Sequence, residues 1–340
     1  MYGFFGRNAA STSNVKNEVN FEGELRFSVQ HLKHVHRELL ENKVVTSKNV
    51  VVVVEHLRTV AEMVVYGDSN SEQLFDFFCE KNMMALFIQI MWSPNCPGSV
   101  HMQILQTLGI LCQSVKNDTS LYYLLSNNYV NEIIQYPHNF ENENISEQFV
   151  SFLKTLSLRL NLQSVQFFFI EETGAFPLLT RAIGLLQFKE PMVRIAAQAI
   201  ILNVYKVRDK RSRDYALQPE IMNRFFKNIV QLMTGQYNAL VALSLEHIHV
   251  SLYGVTASNS NSSDKKNKNN SNSRNRAVYS VINDEYAVAK IEELMHDLVI
   301  NIEDWLFYLQ DVIDLGIMKL RRCLIQYLFE EFVQPVLLVP

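Results

Sequence analysis

At 340 residues, with 48% hydrophobic and 19% charged side chains, the chain has a globular composition and lies outside the polar, highly charged range that keeps polypeptides unfolded. Its formal net charge of −4 supplies no overall basic field of the kind that phosphate backbones attract, which argues against nucleic acid as a partner. Apolar runs such as those at 50–54 and 85–88 fall far short of the roughly 20 residues that a bilayer crossing needs.

The first residues, Met1-Tyr2-Gly3-Phe4-Phe5-Gly6-Arg7, turn polar without the apolar core of a signal peptide, and residues 1–20 are expected to be a flexible N-terminus. Leu25, Val29, Leu32, His36 and Leu39 then step by three and four, the spacing of one helical face. Val50, Val54, Leu57, Ala61 and Val64 repeat the pattern. The valine run at 50–54 alone would suit a strand, but the stripe continues to Val64 with Ser47 available as an N-cap, so length decides for a helix.

Further helices are expected over 72–78, 83–91, 99–115, 119–125, 146–160 and 177–186. Residues 191–207 carry the clearest pattern: Pro191 suits a first helical turn, and Met192, Ile195, Ala199 and Leu202 share one face. Beyond it, helices are expected over 221–233, 239–253 with Gly254 as a stop, 281–299, 305–315 and 318–332. Segment 257–276, ASNSNSSDKKNKNNSNSRNR, has almost nothing apolar to bury and is expected to be a disordered Asn/Ser/Lys-rich insertion.

A long succession of helices without hairpin signals leaves a compact bundle or a stacked array, and the number of helices favours the array. The expected fold class is all-α, an armadillo- or HEAT-like helical solenoid whose repeats are degenerate, since no clean period near 40 residues is visible. Its helical repeat domain is expected at 21–256, with C-terminal helices at 277–340 packing on the same solenoid.

The chain lacks the glycine patterns that cradle phosphates, the GxSxG turn of serine hydrolases and any CxxC pair. His31 and His34 find no further ligands at matching spacing, and His247 and His249 diverge on a helix. The adjacent carboxylates Glu171 and Glu172, Glu292 and Glu293, and Glu330 and Glu331 diverge likewise. No catalytic residue, cofactor or metal is assigned. The four cysteines, Cys79, Cys96, Cys112 and Cys323, are too sparse for a disulfide framework and fit a reducing cytoplasm. Cys323 alone, beside Arg321 and Arg322, approaches the cationic surroundings of a reactive thiol. The aromatic run Phe167-Phe168-Phe169 reads as core. Candidate partner-binding residues are Ser126, Asn127, Asn128 and Tyr129, which punctuate two helices, and the polar positions Arg194, Gln198 and Lys206 after Pro191. Their plain alternative is an Asn pair that caps a turn and an Arg194 paired with a nearby acid.

Four blocks resemble the FPL-domain family of endosomal and autophagy regulators: LFDFFCEKNMM at 74–84, LQTLGILCQSVKNDTSLYYLLSNNYVNEII at 105–134, FVSFLKTLSLRLN at 149–161 and MVRIAAQAIILNVYKVRD at 192–209. The name-giving tripeptide stands at Phe176-Pro177-Leu178. The resemblance covers most of 25–209, with a weaker echo at 282–328. It implies an armadillo-like domain and a cytoplasmic protein that regulates endosomal, lysosomal and Golgi traffic and autophagy, mitophagy included. It also implies protein partners, namely membrane-tethering and ubiquitin-pathway components, and no more than peripheral membrane association. Animal members continue far beyond this region, and no residue here matches a ubiquitin-ligase site. Three readings stay open: a non-catalytic scaffold, a ubiquitin-ligase component with its own cysteine-dependent activity, and a peptide adaptor with ladders of Trp and Asn. The last has only Trp92 and Trp305 to draw on.

Overall fold

The computed structural model describes residues 26–253 and 272–338, and among them all regular structure is helical. The chain divides into two compact units, Met1–Ala216 and Leu217–Pro340.

In the first unit α1 (Val29–Glu41), α2 (Val50–Asn70), α3 (Glu72–Glu80) and α4 (Met83–Met91) are followed by α5 (Gly98–Ser114), α6 (Asp118–Leu125) and α7 (Tyr129–Gln135). Then come α8 (Glu143–Leu158), a 3-10 turn (Val165–Phe168), α9 (Pro177–Leu185), α10 (Pro191–Lys206) and α11 (Lys210–Ala216). Local chemistry sets the starts. Ser28, Asn117 and Asn142 accept hydrogen bonds from the backbone amides of His31, Thr119 and Ile145, and Pro177 and Pro191 stand where a helix has no use for an N–H.

The four long helices pack in succession, α2 on α5, α5 on α8 and α8 on α10, while α4, α7 and α9 form a second row. Buried contacts between rows are apolar, with Leu57, Val64, Ile104, Leu108, Leu153, Leu156, Ile200 and Val204 all essentially inaccessible. Polar clamps join the same neighbours. Thr107 Oγ1 donates to the Leu57 carbonyl at 3.1 Å, Asp68 Oδ2 accepts from the Lys116 amide at 2.8 Å, and Asn203 Nδ2 donates to Ser157 Oγ at 3.1 Å. Guanidinium groups cover helix ends, where carbonyls lack intrahelical partners and the helix dipole is negative. Arg159 donates to the Cys112, Gln113 and Val115 carbonyls closing α5, and Arg181 to the Ile134, Gln135 and Tyr136 carbonyls closing α7.

A left-handed residue precedes each second-row helix: Asn82, Asn128 and Gly174 have φ of 47°, 64° and 66°, and they follow one another every 46 residues (82 to 128 to 174). Asparagine and glycine are the residues that enter this region at least cost.

In the second unit α12 (Pro219–Tyr253) packs along α13 (Asn272–Asp314) and α14 (Met318–Leu328), and a π-helical stretch, Phe329–Leu338, carries Pro335. Phe225, Phe226, Ile229, Trp305, Leu309, Val312, Leu320 and Leu324 fill its core.

Several expectations change. The helices expected at 221–233 and 239–253 are one helix, α12, because Gly235 alone costs only about 1 kcal/mol inside a helix and does not break it. Those expected at 281–299 and 305–315 are likewise one helix, α13, since 300–304 contain neither glycine nor proline. On α10 the buried face is Val193, Ala197, Ile200, Ile201 and Val204, whereas Met192 and Ile195 are 76% and 51% exposed. That helix is apolar on two faces, so periodicity alone selects the wrong one. Helices α7 and α11 are too short to display a period. Phe168 and Phe169 are buried as expected, and Phe167 is half-buried. The N-terminus at 1–20 and the insertion at 257–276, as far as residue 271, lie outside the described residues.

Two glycines provide a test of this packing. A Cβ on Gly67 would come within 2.7 Å of Leu74 Cβ, where α2 and α3 touch, whereas a Cβ on Gly109 meets nothing within 4 Å. Gly67→Ala is expected to destabilise by about 1–3 kcal/mol through overpacking. Gly109→Ala is expected to be neutral or to stabilise by up to about 1 kcal/mol. Thermal denaturation of the two variants beside the parent chain reads both signs.

Candidate protein-interaction site

A groove of about 830 Å³ crosses α2, α5 and α8. Nine of its lining positions form a lattice. Arg58, Ala61 and Val65 of α2, Gln103, Gln106 and Ile110 of α5, and Gln148, Ser151 and Thr155 of α8 repeat at intervals of 45 residues (58 to 103 to 148). Within each helix the steps are three and four, which keeps the triplet on one face. The first rung is partly wired: Arg58 donates from Nη1 to Glu55 Oε2 at 2.9 Å and from Nη2 to Gln103 Oε1 at 3.4 Å. Gln103 Nε2 donates on to Thr107 Oγ1 at 3.4 Å. The carboxamides of Gln106, Gln113 and Gln148 have no hydrogen-bond partner among the described residues and line the same space. At one end Phe27 stacks on Tyr66, ring centres 4.3 Å apart, and Arg26 pairs with Glu62. Sequence reasoning missed this face, whose only signal is the triplet recurring every 45 residues.

The tetrad Ser126-Asn127-Asn128-Tyr129 is the turn between α6 and α7, with Asn127 and Asn128 both left-handed. Three of its side chains are tied into the fold. Ser126 Oγ donates to the Tyr123 carbonyl at 2.8 Å, Asn128 Oδ1 accepts from Asn131 Nδ2 at 3.0 Å, and Tyr129 donates its hydroxyl to Asn82 Oδ1 at 2.9 Å. Asn127 is exposed and donates only to Ser126 Oγ. The turn borders a polar pocket of about 410 Å³ with Gln166 and Phe167, into which Arg211 extends after stacking on Phe169 at 4.2 Å.

Arg194, Gln198 and Lys206 sit apart from that tetrad, on α10. Arg194 is half-buried and donates Nη1 to the Phe188 and Lys189 carbonyls, at 3.0 and 2.6 Å, so it bonds to backbone carbonyls of the preceding loop. Burial lowers its pKa against the opposing pull of Glu190. Gln198 is half-buried, Lys206 exposed, and neither has a partner among the described residues.

Burial pushes all four thiols up: Cys112 to about 12, Cys79 to about 11, and Cys96 and Cys323 in the same direction. At Cys323 the cation that opposes this is Lys319, one turn earlier on the same face of α14. The adjacent Arg321 and Arg322 are exposed and point elsewhere around the helix. A low-pKa thiol is therefore absent among these cysteines. Among the described residues no three His, Cys, Asp or Glu side chains form a metal-binding group.

Residues 57–205, from within α2 to within α10, match the family model FPL, described as an uncharacterised conserved protein. This stretch of the all-helical chain, which holds most of the groove and the left-handed residues Asn82, Asn128 and Gly174, is an FPL domain. Its relatives include the Protein CLEC16A homolog of Drosophila melanogaster, 41% identical over 66% of this chain and 23% of that protein. Protein CLEC16A of Homo sapiens is 40% identical over 65% of this chain and 23% of that protein. Protein TRANSPARENT TESTA 9 of Arabidopsis thaliana is 29% identical over 92% of this chain and 33% of that protein. The matches thus span a quarter to a third of these relatives' length. No solved structure matches the chain.

His138 gives the domain an acid response. It is buried against Phe149, ring centres 4.6 Å apart, its Nε2 bonds the Ile133 carbonyl at 3.0 Å, and Nδ1 has no partner among the described residues. Burial lowers its pKa to about 4, opposed by the Ile133 carbonyl and assisted by His101 and Arg181. Between the ordinary value of 6.5 and about 4 the unfolded chain takes up a proton that the folded chain refuses, so stability falls as pH falls through that window. The full span corresponds to about 3 kcal/mol. Urea unfolding at pH 7 and pH 4.5 is expected to show this loss, and His138→Phe to reduce it.

Proposed function

We propose that this chain is a non-catalytic protein-interaction scaffold that regulates endosomal, lysosomal and Golgi membrane traffic and autophagy, including mitophagy, and that its first unit is an armadillo-like helical solenoid. The observation that carries the reading is the lattice across α2, α5 and α8, in which side chains recur every 45 residues on one concave face. Repeated helices that bury their flanks against one another leave such a face free for partners. The successive packing of α2, α5, α8 and α10 supports the solenoid.

The traffic and autophagy role rests on the family resemblance and on the matches to CLEC16A proteins. Its partners would be membrane-tethering and ubiquitin-pathway proteins, met by a cytoplasmic protein that associates peripherally with endosomal, Golgi or lysosomal membranes. Among the described residues no helix is long and apolar enough to cross a membrane. The raised thiol pKa values favour the scaffold over a cysteine-dependent ligase, which needs a thiolate at neutral pH. Of the residues singled out on sequence grounds, Asn127, Gln198 and Lys206 keep the most freedom for contacts outside the fold.

Proximity labelling with a biotin ligase fused to the full chain is expected to enrich endosomal, Golgi, lysosomal and autophagy proteins, with Cys323→Ala leaving the profile unchanged. A profile without such proteins overturns the proposal.

A further inference from the structure

We infer that the groove across α2, α5 and α8 is a binding site for an extended peptide, read through its backbone by the carboxamides of Gln106, Gln113 and Gln148. The inference deepens the scaffold reading by naming its ligand class and rests on that reading only for its cellular meaning. Three observations point to this occupant.

The first is the chemistry of the unpartnered groups. A carboxamide carries a donor and an acceptor together, as a peptide group does, and these three stand without partners along one groove. A docked helix has already satisfied its own backbone and would leave them unmatched, and helix-in-groove recognition relies on a continuous apolar seam instead. An extended segment still has its N–H and C=O groups to offer.

The second is charge. Arg58 is paired with Glu55 and Arg26 with Glu62, so each cation bordering the groove already has its carboxylate. A balanced groove has no call for a phosphate or an anionic headgroup, and recognition falls to neutral hydrogen bonding.

The third is dimension. Neighbouring helices pack roughly 8–10 Å apart, so the lattice spans about 20 Å, the length of about six extended residues. At one end Phe27, in the turn before α1, stacks on Tyr66 and offers a ligand an aromatic wall. Between the amides, Val65 and the 44%-exposed Ile110 give an apolar side chain of the ligand somewhere to rest.

The test uses the full chain and a display library of random linear dodecapeptides. An enriched peptide, fluorescently labelled, is expected to bind saturably by anisotropy. Affinity is expected to fall by roughly tenfold or more in Gln106→Ala/Gln148→Ala, the worth of one or two net hydrogen bonds. A comparable loss is expected when alternate backbone nitrogens of the peptide are methylated. Neither glutamine has a partner in the fold, so the melting temperature of the double variant should match the parent. If it does not, the methylated peptide on the parent chain decides alone. Absence of enriched peptides, binding indifferent to both changes, a peptide that turns helical on binding, or self-association of the chain through these glutamines would each overturn the inference. Peptide binding without endosomal neighbours would sink the traffic role and leave the groove standing. Endosomal neighbours without peptide binding would do the reverse.

Discussion

A helix that must bury two flanks constrains everything around it. Helix α5 packs against α2 on one side and α8 on the other, and its Val100, Ile104, Leu105, Leu108, Leu111 and Cys112 are all buried. Burial at roughly 25 cal/mol per Å2 makes both contacts favourable because both flanks are mostly apolar. What remains on α5 includes a strip at Gln106, Gly109, Ile110 and Gln113. Because the same constraint applies to α2 and α8, the strips align, and their alignment is the groove. The concave face is thus a by-product of stacking, and of its lattice side chains all but Ala61 and Gln103 keep exposed surface.

Stacking apolar flanks still leaves helix ends to satisfy, and the first unit does this with groups reaching across from neighbouring elements. Arg159, just past α8, covers three carbonyls at the end of α5, and Arg181 of α9 covers those of α7. Asp68 of α2 accepts from two amides in the turn after α5. These contacts join residues about 45 apart in sequence, so each fixes the register of one helix row on the next. Apolar burial has no direction of its own, and the hydrogen-bonded ends supply one. His138 belongs to the same layer: bonded to the Ile133 carbonyl and enclosed by Tyr136, Phe140 and Phe149, it stays neutral where a charge could not be solvated.

Much of this was legible beforehand. Residues 83–91 coincide with α4, and Pro191 opens α10 as its position predicts. The repeat is faint in the sequence because it preserves geometry more than identity. Arg58, Gln103 and Gln148 share a place, as do Val65, Ile110 and Thr155, and a turn is built by Asn82, Asn128 or Gly174 because each tolerates positive φ. Recurring letters are limited to Gln103 with Gln148 and Asn82 with Asn128, too few to mark a period, whereas the demand for positive φ recurs at all three turns. The neutral glutamines of the groove carry no charge pattern, whereas Ser126 to Tyr129 form a turn whose polar atoms mostly bond within the fold. Arg194 is half-buried and donates to two carbonyls of the preceding loop, which ties its guanidinium to the fold.

The lattice from Arg58 to Thr155 lies within the FPL match at 57–205, and this separates two kinds of position in the domain. A change at Ile104 or Leu108 opens a cavity between α5 and its neighbours and costs several kcal/mol. A change at Gln106 or Gln148 removes a side chain that nothing in the fold holds, and the packing has no reason to respond. The groove can therefore alter what it recognises without altering the stack that creates it, which is the physical requirement for one helical framework to serve different partners. Gly109 marks the limit of that freedom. It is open enough to accept a methyl group, but a larger side chain there would stand in the groove between Gln106 and Gln113 and close the path that an extended ligand needs.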